Sequence, residues 1–298
     1  MLSETKHPVF ILDPSVITFP QDDDSGRINF SMLIIKVGGG KNINWDYVAE
    51  DITSLVKDGK KVVIVHGASG KRDELAKKLG IPTKTVVSPT GISSVLTDTA
   101  AIEVFLMAYS GLVNKTIVAK LLSHGVNAVG LSGVDGRLWQ AKKKGVIMIK
   151  ENEKVKLLKG NLTGRVEKIN DQLIKLLVDN SYVPVISAPA ISHDSEIVNT
   201  DNDWATAVMA GSLGVTELVY LFEAAGLLKD FQDKKSVIPA IKKDNLDEFM
   251  KFAEGRMKKK ILGVKKAFEM GVKKVYFGDG RIKSPIINVL KGKGTIIS

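Results

Sequence analysis

Three segments of this chain combine positive charge and glycine in a way that suits phosphoryl transfer. Lys36 sits in an apolar run, Met32–Val37, that ends in Gly38-Gly39-Gly40. An ammonium beside a glycine turn can neutralise charge on a transferring phosphoryl group. Glycine lets backbone amides come close to phosphate oxygens, and a following helix N-terminus adds a favourable field. A second such turn, His66-Gly67-Ala68-Ser69-Gly70, follows another apolar run. Far along the chain, Gly255-Arg256-Met257-Lys258-Lys259-Lys260 opens a helix with a run of lysines. Cations are unfavourable at a helix N-terminus, so a bound polyanion would account for them; a solvated basic face is the competing reading. Lys36 likewise has a second reading, as an edge-strand lysine reaching solvent. Between these segments lies Asn199-Thr200-Asp201-Asn202-Asp203. Asp203 is expected at a helix start, either as a cap or as the acceptor that holds both lysines. Asn199 can donate to a substrate carbonyl or carboxylate. Phosphoryl transfer depends on positioning and charge neutralisation, not on a covalent nucleophile from the protein.

Other phosphate and metal chemistries fit less well. The chain has no GxxxxGK(S/T) loop, no GxGxxG fingerprint and no HRD/DFG pair. His66 precedes the second glycine turn, where it either packs or touches a ligand. His7, His124 and His193 stand apart without partners at ligand spacing, so no transition-metal site is expected. Mg²⁺ would arrive with ATP and bind chiefly through phosphates and water.

The elements that must position these residues alternate. Apolar runs at Met32–Val37, Lys61–Val65, Asn127–Leu131, Val183–Ser187, Glu217–Leu221 and Lys274–Phe277 read as buried parallel strands. Helical patterns separate them: Asn44 to Asp58 ending at Gly59, then a helix to Leu79. A long apolar helix follows, capped at Thr97 or Asp98 and broken near Gly111, and later helices run over 171–179, 203–213 and 257–270. Residues 137–168 read as short antiparallel strands on the sheet edge. Alternating strands and helices imply an α/β fold, a mainly parallel sheet with helices on both faces. Ligands then bind at the carboxyl ends of the strands, where both glycine turns fall.

Composition bounds the rest. With 298 residues, 44% hydrophobic and 26% charged, the chain can build two lobes with an ample core. No unbroken apolar run approaches the length of a membrane span, so no membrane contact is expected. Zero cysteines exclude disulfides and thiolate metal sites and agree with a cytoplasmic setting or with life at high temperature. The net charge of +10 can attract nucleic acid, anionic lipid, nucleotide phosphates or an acidic protein. Lys142–Lys144 and Lys258–Lys260 lack the interleaved aromatics of a single-strand binder, so no nucleic-acid partner is expected. Residues 1–31 carry three prolines and the acidic run Asp22–Asp24 and read as an N-terminal arm or added extension.

On Lys36-Val37-Gly38-Gly39-Gly40, His66-Gly67, Gly130–Gly136, Thr163-Gly164, Asn199 with Asp203, and Gly255–Lys260, the chain resembles the amino acid kinase superfamily. The resemblance covers Met32–Ser298 and lies in the acetylglutamate kinase branch, nearest its lysine-biosynthesis kinases. It implies an open αβα sandwich of two lobes: residues 32–200 for the acceptor and dimerisation, 201–298 for the nucleotide. It implies ATP-dependent phosphorylation of the side-chain carboxylate of aminoadipate or glutamate, with Mg²⁺ entering with ATP. The substrate would be carried on a small acidic amino-group carrier protein, and the enzyme would be a homodimer. By position, Lys36 and Lys260 would stabilise the transferring group and Asp203 would organise them. Gly38, Gly39, Glu223, Gly226, Gly255 and Met257 would bind ATP; Gly67, Ala68, Val95 and Asn199 would bind substrate. Four departures accompany these matches. Val95 stands where relatives carry an arginine for the substrate's α-carboxylate, a contact worth roughly 1.5–3 kcal/mol, with Lys71 or Arg72 as replacements. Ala68 replaces a glycine and fits only at negative φ. Phe222–Gly226 replaces a hydroxyl-bearing stretch and adds the charge of Glu223, and Trp204 replaces a glutamine. They leave open an alternative, a catalytically weak or inactive relative that binds a carrier or regulates.

Overall fold

The computed structural model describes residues 32–298 except 153, 231, 254 and 255; the expected arm, 1–31, and Gly255 lie outside the described residues. Strands β1 (Leu33–Val37) and β2 (Val62–His66) are buried at every position, as parallel strands covered on both faces must be. Each turns into a helix, α1 (Trp45–Lys57) and α2 (Ser69–Lys78). Asn44 caps α1 by accepting from the Asp46 and Tyr47 amides, and Gly59 follows its end at φ 78°, a left-handed turn that suits glycine. β3 (Thr85–Val87) and β4 (Ser93–Val95) form a separate antiparallel pair. α3 (Thr99–Phe105), capped by Asp98, continues through a π-helical stretch, Leu106–Val113, into α4 (Asn114–Ser123). The break expected near Gly111 is therefore a local rewinding of one continuous helix.

Thr99–Ser123 is long and apolar enough to cross a membrane by length and composition. Its apolar residues are interleaved with polar ones, so no single run betrayed it. Its inner face, with Ile102, Phe105, Ala108, Tyr109, Ile117 and Leu121, is buried in the core.

The chain goes on through β5 (Ala128–Gly133), β6 (Trp139–Glu151), β7 (Lys154–Ile169), α5 (Asp171–Asp179), β8 (Val183–Ser192), β9 (Ile197–Val198) and α6 (Asn202–Leu213). It ends with β10 (Glu217–Phe222), β11 (Ala240–Ile241), α7 (Leu246–Phe249), α8 (Arg256–Glu269), β12 (Lys274–Asp279), α9 (Pro285–Leu290) and β13 (Thr295–Ile297). Eleven strands form one sheet, ordered β11-β13-β12-β10-β1-β2-β8-β6-β7, with β5 and β9 also pairing with β8. Pairing is parallel except at β12–β13, β6–β7 and β8–β9. The segment expected to be short edge strands is instead one long hairpin, β6–β7, of 13 and 16 residues.

Alternation along β1 decides where chemistry can occur. Side chains i and i+2 share a face. Leu33, Ile35 and Val37 enter the core on the α1 side, whereas Ile34 enters the other core with α6 and α8 residues such as Ala207 and Val264. Lys36 has the parity of Ile34. It therefore points toward α6 and α8, at the carboxyl end of a strand flanked by β10 and β2.

Candidate active site

Lys36 is not an edge lysine: it lies in the middle of the sheet and is 5% exposed. Its Nζ meets Asp203 Oδ1 at 2.5 Å, and Lys260 Nζ meets Asp203 Oδ2 at 3.3 Å. One carboxylate thus holds two ammonium groups, the arrangement expected from the segments taken separately. Burial alone would raise the Asp203 carboxyl, but Lys260 and Lys36 hold it below its usual range. Burial would lower the Lys36 ammonium, but Asp203 more than offsets it, and Lys36 sits above its ordinary value. Lys260 goes the other way. Burial, and then the like charge of Lys36, pull it down to about 8 against the attraction of Asp203.

The two helices that carry this pair approach closely because Gly263, one turn beyond Lys260, has no side chain. A Cβ there would lie 3.0 Å from the backbone and Cβ of Asp203. Asp203 does not cap its helix. Asp201 does, accepting from the Asp203 and Trp204 amides at 2.9 and 3.0 Å, which frees the Asp203 carboxylate for the lysines. Burial and the neighbouring Asp203 charge push Asp201 up.

The glycine turns after β1 and β2 pack backbone to backbone. A Cβ on Gly67 would stand 2.7 Å from the Gly39 amide nitrogen, and one on Gly39 would strike the Ala68 and Ser69 amides. Gly38, Gly39 and Gly67 line a cleft of about 1790 Å³ together with Lys36, Asp203 and Lys260. Asn202 ties α6 to the second turn through Nδ2, which donates to the His66 carbonyl at 2.8 Å. His66 itself is fully buried against Asn114, Nδ2 to Nε2 3.1 Å; burial takes its pKa down to about 4, so it is a packed neutral histidine near pH 7. Ala68 is also buried and has φ −144°. The lost glycine therefore imposes no strain, and the Ala68 side chain packs in the core and does not line the cleft.

Val95 and Asn199 also line the cleft. Asn199 Nδ2 donates to Thr97 Oγ1 at 3.0 Å, and the Thr97 amide donates to Asn161 Oδ1 at 3.2 Å. This fully buried Thr97–Asn161 pair holds Asn199 in place. Glu223, Gly226 and Met257 line the cleft as well. Glu223 bridges back to the first glycine turn, its Oε1 accepting from the Asn42 amide at 2.7 Å. Trp204 donates from Nε1 to the Val166 carbonyl at 3.0 Å, and the Arg165 guanidinium lies 4.3 Å over its ring. Seven basic and four acidic side chains line the whole cleft. Among the described residues no three His, Cys, Asp or Glu side chains are grouped as a metal cage.

Asn114, Asn161, Asn202 and Gly263 were not singled out from sequence, and Thr97 was expected only as a possible helix cap, a role that Asp98 takes. Their partners lie far along the chain, 48 residues for Asn114 and His66 and 136 for Asn202 and His66, and no local spacing marks them.

The profile of the amino acid kinase family matches residues 31–279. LysW-aminoadipate kinase of Thermus thermophilus is 42% identical over 268 residues, spanning 89% of this chain and 100% of that protein. LysW-aminoadipate/LysW-glutamate kinase of Sulfolobus acidocaldarius is 34% identical over 269 residues, 89% of this chain and 100% of that protein. Among solved structures, N-acetylglutamate synthase from Neisseria gonorrhoeae shares the fold at a TM-score of 0.74 with 21% identity, over 90% of this chain and 59% of that one. The sheet, the lysine pair on one carboxylate and these matches agree: the chain belongs to the amino acid kinase family.

Proposed function

We propose that this protein phosphorylates the side-chain carboxylate of aminoadipate or glutamate held through its amino group on a LysW carrier protein. The relatives' names support this substrate. The observation that carries the reaction class is the buried Lys36–Asp203–Lys260 triad on the cleft wall. ATP fits the excess of basic side chains and the glycine turns, which leave room for phosphate oxygens. When bound, Mg-ATP supplies the phosphoryl group and further neutralises its charge. Lys36 and Lys260 bind the oxygens of the group in transit. Asp203 fixes where the two ammonium groups stand, so no reorganisation is needed as charge shifts. Asn199, clamped by Thr97, orients the acceptor carboxylate, whose oxygen displaces ADP to give an acyl phosphate.

Residues 32–200 hold the acceptor and 201–298 the nucleotide, as the two walls of the cleft support. The β6–β7 hairpin carries eight lysines and one arginine against three glutamates, a basic arm that suits an acidic carrier. Opposite residues of an antiparallel pair share a face. Val146 with Lys159, Met148 with Leu157 and Lys150 with Val155 therefore combine exposed apolar side chains with lysines beside the cleft. Met107, Leu112 and Leu122, exposed on the long helix, support a homodimer through this part of the chain. The absence of cysteine and the biosynthetic relatives support a cytoplasmic enzyme.

The test is ATP turnover with hydroxylamine as trap, using carrier-linked aminoadipate, carrier-linked glutamate and N-acetylglutamate. Hydroxamate with a carrier-linked acceptor is the expected result. ATP-dependent turnover of none of the three would overturn the proposal.

A further inference from the structure

The two lysines of the site are not held alike. Lys36 lies 2.5 Å from Asp203, whereas Lys260 reaches the same carboxylate only at 3.3 Å. Burial and the like charge of Lys36 both work against the Lys260 ammonium, so one long ion pair is a weak anchor for it. A further contact comes from β10. Tyr220 and Phe222 stand two residues apart on that strand and share a face. Lys36 Nζ lies over the Tyr220 ring, 5.9 Å from its centre, and Lys260 Nζ over the Phe222 ring at 5.6 Å. Both distances fall within the range in which a ring face attracts a cation. Packing fixes both rings. Tyr220 is fully buried and Phe222 is 7% exposed. Phe277 of β12 packs edge to face on each, with centres 5.7 and 5.4 Å apart and interplanar angles of 69° and 85°. Phe222 also lines the cleft, at the start of the stretch that departs from the family resemblance.

We infer that Phe222 is a positioning residue for phosphoryl transfer: its ring face holds the Lys260 ammonium beside Asp203 and leaves the charge available to the phosphoryl group. The inference rests on the kinase reading above. An ammonium has three N–H donors, and Asp203 takes one. A second carboxylate would hold the group more tightly but would cancel the positive excess that an incoming anion needs. A hydroxyl oxygen would take a donor that a phosphate oxygen can use. A ring attracts the cation through its quadrupole and carries no net charge. The phenyl ring at this position therefore replaces the expected hydroxyl without reproducing its role. Lys36 needs its ring less, because its ion pair is short. The charged groups acting on Lys260 are Asp203 of α6 and Lys36 of β1; Asp201, Lys259 and Glu223 line the same cleft. Tyr220 stays neutral, its hydroxyl pushed up by burial and then by the Asp203 charge.

The experiment replaces Phe222 by mono-, di- and trifluorophenylalanine, which drain the ring face of negative potential at nearly constant shape. Two quantities are followed. One is the titration of Lys260 in the free protein, by NMR of lysine labelled at its ε-carbon, with the signal assigned through Lys260→Arg. The other is the pH profile of kcat/KM. With each added fluorine, the titration and the alkaline limb should move together to lower pH, by about 0.5–1 unit across the series. Phe222→Leu keeps an apolar side chain without a π face. It should give the same displacement and lower kcat about 3- to 10-fold, with KM for ATP within about twofold. Phe222→Tyr keeps the face and should leave the limb at its wild-type position, which gives a second reading if the leucine variant folds poorly. A merely structural role predicts lost activity and thermal stability with leucine but no drift along the fluorinated series. That result overturns the inference while the kinase reading stands. Failure of the wild-type protein to turn over any acceptor overturns both.

Discussion

Two ammonium groups on one carboxylate leave a net positive charge inside the protein, and that excess is the useful part. It can be neutralised by an anion arriving in the cleft, so the site is electrostatically incomplete without its ligand. Removing Asp203 exposes the cost. Asp203→Asn should lower stability by about 3–5 kcal/mol near neutral pH, because two buried cations lose their partner. The deficit should shrink as pH rises, since the unfolded lysines then bind more protons than the folded ones; urea melts at several pH values check both. Lys36→Met leaves Asp203 paired with Lys260 and should cost much less stability while cutting kcat by orders of magnitude. Lys260 also sets a pH limit. With its ammonium pulled down to about 8, the charged form is lost as pH rises, so kcat/KM for the free enzyme should fall above about pH 8. The kcat limb should lie higher, because bound phosphates favour the ammonium. Lys260→Arg should remove the alkaline limb from kcat/KM profiles even where it lowers the plateau.

At the scale of elements, the site exists because three close approaches coincide. Gly39 and Gly67 let the first two turns touch, and Gly263 lets α8 lie against the start of α6. The first two were legible in the sequence, since glycine runs after apolar strands announce a turn. Gly263 was not, because a single glycine within a helical pattern has no local meaning; its neighbour is 60 residues away in the chain. Gly263→Val should therefore destabilise the protein by about 1–3 kcal/mol through overpacking. It should also lower kcat more than it raises KM for ATP, because it displaces Lys260 from Asp203. Thermal melts and steady-state kinetics on one preparation separate the two effects.

Across the whole molecule, charge is unevenly placed. The β6–β7 hairpin alone accounts for +6 of a net +10, and two of its lysines, Lys150 and Lys159, stand on the face that also exposes Val146, Met148, Val155 and Leu157. Such a surface steers an acidic partner by charge and holds it by apolar contact. Lys142→Glu with Lys159→Glu should raise KM for the carrier-linked substrate several-fold and leave KM for ATP unchanged. The wild-type KM for the carrier should itself rise with ionic strength, since exposed charges are screened beyond about 10 Å at 0.1 M salt. Kinetics at graded salt test this directly.

The sequence by itself determined the alternating fold, the two glycine turns, and Lys36 and Asp203 as candidates, because these depend on local periodicity and on residue chemistry; within the run Lys258–Lys260, only the family resemblance singled out Lys260. It left three matters to the tertiary structure. Whether Lys36 faced solvent or the interior depended on its strand lying between β10 and β2. Whether Asp203 capped its helix or held the lysines depended on Asp201 taking the cap. Which basic residue faced the cleft beside Val95, Lys71 or Arg72, depended on the rotation of α2 and on Phe105 beneath it. Each turns on partners distant in the chain, and only folding brings those partners within reach.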